Sequence, residues 1–193
     1  MVQQSVNTGI PTIYGGCRYR SRLKAKWAAF FDMFGWEYQY EPWDGAGWIP
    51  DFALFGTYEI LVEIKPYSSF EEFRNNKITD EIVNALSLGK KWGAEVLLLG
   101  SRIFRDRHRF QFGWLGEPVI FRDAEGDVES NEYSFDLALL GVAGNRWDFH
   151  GDTGDFHGRI TNYYEKRQLE CNPDHAEGIW REAGNRVQWK AAL

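Results

Sequence analysis

The sequence predicts an α/β fold in the order helix, three-strand meander, helix, strand, and three observations carry that prediction. Leu23, Trp27, Phe30, Phe31 and Phe34 recur at helical spacing. Two short apolar runs flank Gly56-Thr57 as the arms of a β-hairpin. The run "EVLLLGS" from residue 95 is nearly continuously apolar, the mark of a strand buried on both faces.

The elements follow in order. Residues 1–16 are polar and Gly-rich and read as an arm. A helix then runs from about Arg18 to Phe34, and Gly35 ends it. Residues 36–41 alternate as a strand, with Trp36, Tyr38 and Tyr40 on one face and Glu37, Gln39 and Glu41 on the other. "PWDGAGW" is a loop, and the hairpin comes next. In its second arm Ile60, Val62 and Ile64 alternate with Leu61, Glu63 and Lys65, until Pro66 stops the strand. Ser68 and Ser69 each precede a Glu by three residues, a doubled capping-box signal for a helix starting near Phe70. That helix has a break around Asn75-Asn76 and carries Ile78, Ile82, Leu86 and Trp92 before Gly93. The strand, helix, strand succession predicts a right-handed parallel crossover.

After residue 101 the signal weakens. "RFQFGWL" and "PVIF" read as strands, "FDLALLGVA" as a short helix, and 144–178 as turns. The end, "HAEGIWREAGNRVQWKAAL", reads as a helix with a Gly-Asn interruption. The chain therefore divides into an arm (1–16), a core (17–121) and an irregular C-terminal extension packed on the core (122–193).

A length of 193 residues suits one such core with an appendage. No signal peptide and no run of eighteen apolar residues is visible. Cys17 and Cys171 give no disulfide framework and fit a reducing compartment. The expectation is a cytoplasmic protein without a membrane partner. A net charge of −6 argues against general nucleic-acid affinity, but its distribution matters more. Arg18, Arg20, Arg22, Lys24 and Lys26 form one basic cluster, and Arg102, Arg105, Arg107, His108 and Arg109 another. Each is a candidate phosphate contact or a solvated surface. No P-loop appears, so ATP use is not expected. The spacing of His150, His157, Cys171 and His175 matches no common zinc site.

Asp51, Glu63 and Lys65 stand in an otherwise apolar stretch. Glu63 and Lys65 share one strand face, about 6–7 Å apart along it. Charges so placed cost free energy unless they are paired or bind something. Pro50-Asp51 on the second strand followed by Glu63-Ile64-Lys65 on the third resembles the PD-(D/E)XK nuclease superfamily, the restriction-endonuclease-like αβββαβ fold with a mixed sheet flanked by helices. "CRYRSRLKAKWAAFFDMFGWEYQYEP" is similar to the first helix and strand of small phage-type and bacterial members. The resemblance covers roughly residues 14–101.

It implies a Mg²⁺- or Mn²⁺-dependent deoxyribonuclease whose partner is DNA. Asp51, Glu63 and the Ile64 carbonyl would hold the ion, because hard cations prefer oxygen ligands. Lys65 would polarise the water or stabilise the phosphoryl group. Arg18, Arg20, Arg22, Arg102, Arg105, Arg107 and Arg109 would contact DNA. Cutting mode, sequence preference and oligomeric state stay open, a homodimer included.

One geometric condition follows. A three-residue loop, Gly56-Thr57-Tyr58, sets Asp51 opposite Glu63, whereas a two-residue turn sets it opposite Val62 on the wrong face.

One position departs from the resemblance. Members commonly carry an acid on the first helix, and the matching residue here is Lys24. Its amine should then lie within salt-bridge reach of Asp51 or Glu63, with Glu41 as the substitute ligand on reach. The exchange also opens the alternative of a weakened or inactive nuclease-fold protein that acts by binding DNA, or a protein in a counter-defence role.

Overall fold

Two short strands, β1 (Thr12–Tyr14) and β2 (Cys17–Tyr19), pair antiparallel across Gly15-Gly16. Both turn glycines take positive φ, 56° and 80°, which side chains with a Cβ resist. Part of the expected arm is therefore a hairpin, with Tyr14 and Cys17 packed against the core. The computed structural model describes residues 9–44, 47–89, 93–105, 109–122, 128–153, 156–164 and 169–188. Trp92, Arg107 and His108 fall outside them.

Helix α1 (Arg22–Phe34) starts at Ser21, whose hydroxyl accepts the Lys24 N–H, and ends at Gly35 with φ 68°. Its apolar stripe buries Trp27, Phe30 and Phe31 completely. Each such side chain contributes about 1.5–3 kcal/mol relative to exposure. The meander follows as β3 (Glu37–Tyr40), β4 (Phe52–Phe55) and β5 (Glu59–Ile64), all antiparallel. The predicted capping box forms, with Glu72 N–H donating to the Ser69 hydroxyl at the start of α2 (Phe70–Asn75). The predicted break separates α2 from α3 (Ile78–Leu88). Strand β6 (Glu95–Leu99) then pairs parallel to β5, as the crossover requires.

The C-terminal part departs from expectation. After β7 (Phe104–Arg105) come β8 (Phe110–Arg122), β9 (Val128–Ala143) and β10 (Arg146–Gly151). They extend the same sheet, in the order β10-β9-β8-β6-β5-β4-β3. The described residues after 121 thus form sheet and helix rather than an irregular extension, and "FDLALLGVA" is strand rather than helix. The reason is burial on both faces: Phe135 and Leu137 pack with one core cluster, Ala138 and Leu140 with the other. A run apolar on both sides loses the alternation that marks a strand. The last helix, α4 (Pro173–Arg186), passes unbroken through Gly178 and Gly184 and packs its Trp180 on Trp27.

Helices cover both faces of the mixed sheet. Phe52, Leu54, Ile60, Val62, Leu97 and Leu99 meet α1 and α4. On the other face Ala53, Leu61, Val96 and Leu98 meet Phe73, Ile82 and Leu86 of α2 and α3. This is an α/β architecture. No described helix is long and apolar enough to cross a membrane.

Candidate active site

Strand register brings the acids together. The β4–β5 ladder runs from Phe52↔Val62 to Phe55↔Glu59, leaving the three-residue loop Gly56-Thr57-Tyr58. This is the alternative that sets Asp51 level with Glu63. Beyond the ladder, the Asp51 N–H donates to the Val62 carbonyl at 2.8 Å. Its Oδ2 accepts the Ile64 N–H at 2.8 Å. The side chain thus continues the hydrogen bonding where the strands part.

Helix α1 supplies the other half. Trp27 Nε1 donates to the Gly100 carbonyl at 3.0 Å, fixing the helix to the chain just past β6. Lys24, one turn earlier on the same side, places Nζ 2.5 Å from Asp51 Oδ1. The expected salt-bridge reach is therefore present. Just past the end of β5, Lys65 places Nζ 2.5 Å from Glu63 Oε1, and Trp48 Nε1 donates to Glu63 Oε2 at 2.9 Å. All four carboxylate oxygens have a polar partner. Trp48 is a residue whose role sequence reasoning missed, since nothing in the loop "PWDGAGW" marks its indole N–H as a donor to Glu63.

Burial sets the electrostatics. Asp51 and Glu63 are each 4% exposed. Desolvation raises the Asp51 carboxyl above its ordinary value, against the pull of Lys24 and the Ile64 N–H. Desolvation also raises Glu63, and the neighbouring Asp51 charge adds to it. Burial works to lower the Lys65 ammonium, but the Glu63 carboxylate more than offsets that and leaves it raised. Two acids and two lysines balance formally, yet the acids remain the strained members.

The quartet borders a cleft of about 850 Å³ lined by Arg18, Arg20, Arg22, Lys24, Ile64 and Lys65, among others. Neither carboxylate lines it. Both sit behind their lysines. Arg18, Arg20 and Arg22 are exposed along it. Glu41 also borders the cleft, but its Oε1 faces Arg20 Nε at 2.7 Å, an ion pair without hydrogen-bond alignment. Glu41 is thereby committed to Arg20 rather than to the acids.

The second basic cluster is occupied differently. Arg105 reaches Asp174 at 2.6 Å and Glu177 at 3.4 Å. Arg109 holds both oxygens of Asp152 at 2.8 and 2.9 Å. Arg102 lies over the Phe104 ring. The acidic C-terminal part thus takes up Arg105 and Arg109.

Another buried set lies under β10. Asp148, fully buried, accepts from the N–H groups of Phe149, Ile160 and Thr161 at 2.7, 2.8 and 2.8 Å and from the Thr161 hydroxyl at 2.5 Å. Arg159, 4% exposed, bridges Glu95 at 2.8 Å and Glu117. His150 is buried, lowered by desolvation, and accepts the Leu169 N–H at 3.1 Å.

Asp51 and Glu63 fit a hard divalent ion by donor type, two carboxylates beside a strand backbone. The ion would also offset the burial that keeps both acids raised. The condition is that Lys24 releases Oδ1. Among the described residues no group of three or more His, Cys, Asp or Glu stands together as a metal site, so the side-chain donors at the quartet are these two. Compared with family models, curated proteins and solved structures, the chain matches none.

Proposed function

We propose that this chain is a PD-(D/E)XK-type nuclease, hydrolysing DNA phosphodiester bonds with Mg²⁺ or Mn²⁺. The observation that carries the reading is the convergence of Asp51 and Glu63, just behind Lys24 and Lys65, on a cleft walled by Arg18, Arg20 and Arg22. Asp51, Glu63 and the Ile64 carbonyl would hold the ion, which when bound supplies charge for the phosphoryl oxygens and an acidified water. The arginines bind backbone phosphates and set the strand's position. Lys65, at the cleft surface, places its ammonium where negative charge grows on the phosphorus-bound oxygens. Burial of the two acids excludes bulk water from the inner side of the site.

A second reading has its own observation. Lys24 on Asp51 neutralises the acid without a metal, which favours a protein that binds nucleic acid and leaves it intact.

Incubating the protein with circular and linear DNA in Mg²⁺, Mn²⁺ or EDTA separates the two. Cleavage that requires the metal supports the nuclease. DNA retarded on a gel but uncut in every condition supports the binding protein. DNA neither cut nor retarded overturns both.

A further inference from the structure

Lys24 belongs to two structures at once. It lines the cleft, and its Nζ sits 2.5 Å from Asp51 Oδ1. A lysine ammonium is a compact charge on a flexible four-carbon stem, so it can exchange one anionic partner for another without backbone movement. The first turn of α1 carries no acidic residue that could draw Lys24 elsewhere. The exposed Arg18, Arg20 and Arg22 line the same wall, a basic surface suited to phosphates.

Asp51 also tolerates the loss. Its second oxygen keeps the Ile64 N–H, a backbone donor that cannot leave. Glu63 has a parallel arrangement, with Trp48 on one oxygen and Lys65 on the other. Each acid thus has one partner away from the cleft, the Ile64 N–H or the half-buried Trp48 indole, and one lysine at the cleft. Both lysines line the cleft, whereas neither carboxylate does.

We propose that Lys24 is a latch on the metal site that nucleic acid opens: phosphate in the cleft draws the ammonium off Asp51 Oδ1 and frees that oxygen for the divalent ion. The inference rests on the nuclease reading above. In the free protein Lys24 competes with the metal for Asp51, and the site is weak. With nucleic acid bound, the competition is gone. By linkage, the metal then strengthens nucleic-acid binding by the same factor.

The test is a thermodynamic cycle on Mn²⁺ affinity, read from free Mn²⁺ by electron paramagnetic resonance. Four states are titrated: wild type and Lys24→Met, each with and without a saturating short DNA duplex, whose intactness is checked afterwards on a gel. Cations held by the duplex, and any direct metal–phosphate contact, are common to both proteins and cancel in the comparison. Lys24→Gln, which keeps an N–H donor for Asp51 without the charge, repeats the cycle should Lys24→Met fold poorly. Asp51→Asn/Glu63→Gln defines Mn²⁺ bound elsewhere.

The latch predicts that, without duplex, the Lys24 variants bind Mn²⁺ about tenfold or more tightly than wild type, within the usual range of coupling. With duplex the affinities converge. An equal advantage in both conditions makes Lys24 a fixed charge and overturns the latch while leaving the metal site standing. No advantage without duplex overturns it as well. Mn²⁺ binding unaffected by Asp51→Asn/Glu63→Gln in all four states overturns the metal site itself, and the latch with it.

Discussion

Asp51 with Glu63 and Asp148 with Arg159 are both sets of buried charge, and they are neutralised in opposite ways. Asp148 takes its hydrogen bonds from three backbone N–H groups and one hydroxyl, all within the 148–161 segment. Gly158 makes room for it, since a Cβ there would collide with the carboxylate. Those donors cannot leave without unfolding the turn. Asp51 and Glu63 instead lean on two lysines that face a cleft, with one fixed donor each. A buried acid held by the backbone is a staple. A buried acid held by mobile side chains at a cavity is poised to change partners, and it stays raised because its compensation is incomplete.

This contrast can be broken by mutation, most strongly at the staple. Asp148→Ala leaves several buried donors unpaired and should cost about 3–5 kcal/mol, read as a fall in the urea midpoint. A cost under about 1 kcal/mol, the level of an ordinary surface change, would dissolve the distinction.

At the other set the sign reverses. Asp51→Asn/Glu63→Gln keeps the shapes and removes two carboxylates whose charged forms the fold disfavours even beside their lysines, and should stabilise the protein in EDTA at neutral pH by about 1 kcal/mol or more. For a chain of this size that is a rise of about 2–4 °C in Tm per kcal/mol. A clear loss of stability would mean that the quartet is structural.

The pH dependence sharpens the same point. Both carboxyls are raised above their ordinary 3.8 and 4.5, so the folded state holds protons that the unfolded chain has released. Their contribution to stability is fully present below those ordinary values and is lost as pH rises through the folded ones. The gap between Asp51→Asn/Glu63→Gln and wild type should therefore widen from pH 4 towards neutrality. A gap that narrows over that range contradicts the assignment.

The smallest effects concern the two basic clusters. Replacing Arg18 and Arg22 by Ala should flatten the salt dependence of DNA binding by roughly one unit per lost contact. Arg105→Ala should leave the slope unchanged, because Arg105 already serves Asp174 and Glu177. Equal slopes for both sets would remove the cleft's claim to the DNA.

How much of this the sequence reveals depends on how local the signal is. Caps and periodicity lie within a few residues, so α1 with Gly35 and the capping box at Ser69 were legible; the hairpin loop was legible only as a choice between two lengths, which the ladder decides as 56–58. The Asp51–Glu63–Lys65 set was legible because charges interrupt an apolar run. The Lys24 contact was legible only through the resemblance, which supplied the expectation of a helix residue aimed at the acids. The C-terminal half was not. Its long strands are apolar on both faces, and their pairing joins residues distant in sequence, such as Trp114 with Leu137. Asp148 gave no sign of its role either, since its partners at 160 and 161 donate mainly through backbone N–H groups that no side-chain pattern marks.

On the nuclease reading proposed above, Asp51 and Glu63 are held for chemistry on DNA. Cleavage of supercoiled circular DNA in Mn²⁺ by wild type, Asp51→Asn, Glu63→Gln and Asp148→Asn, at a temperature where all four are folded, tests it most directly. Metal-dependent cleavage is expected of wild type and Asp148→Asn, with rates down by about 10²–10³-fold or more in Asp51→Asn and Glu63→Gln. Undiminished cleavage by both of those variants, or no cleavage by wild type with either Mn²⁺ or Mg²⁺, would contradict it.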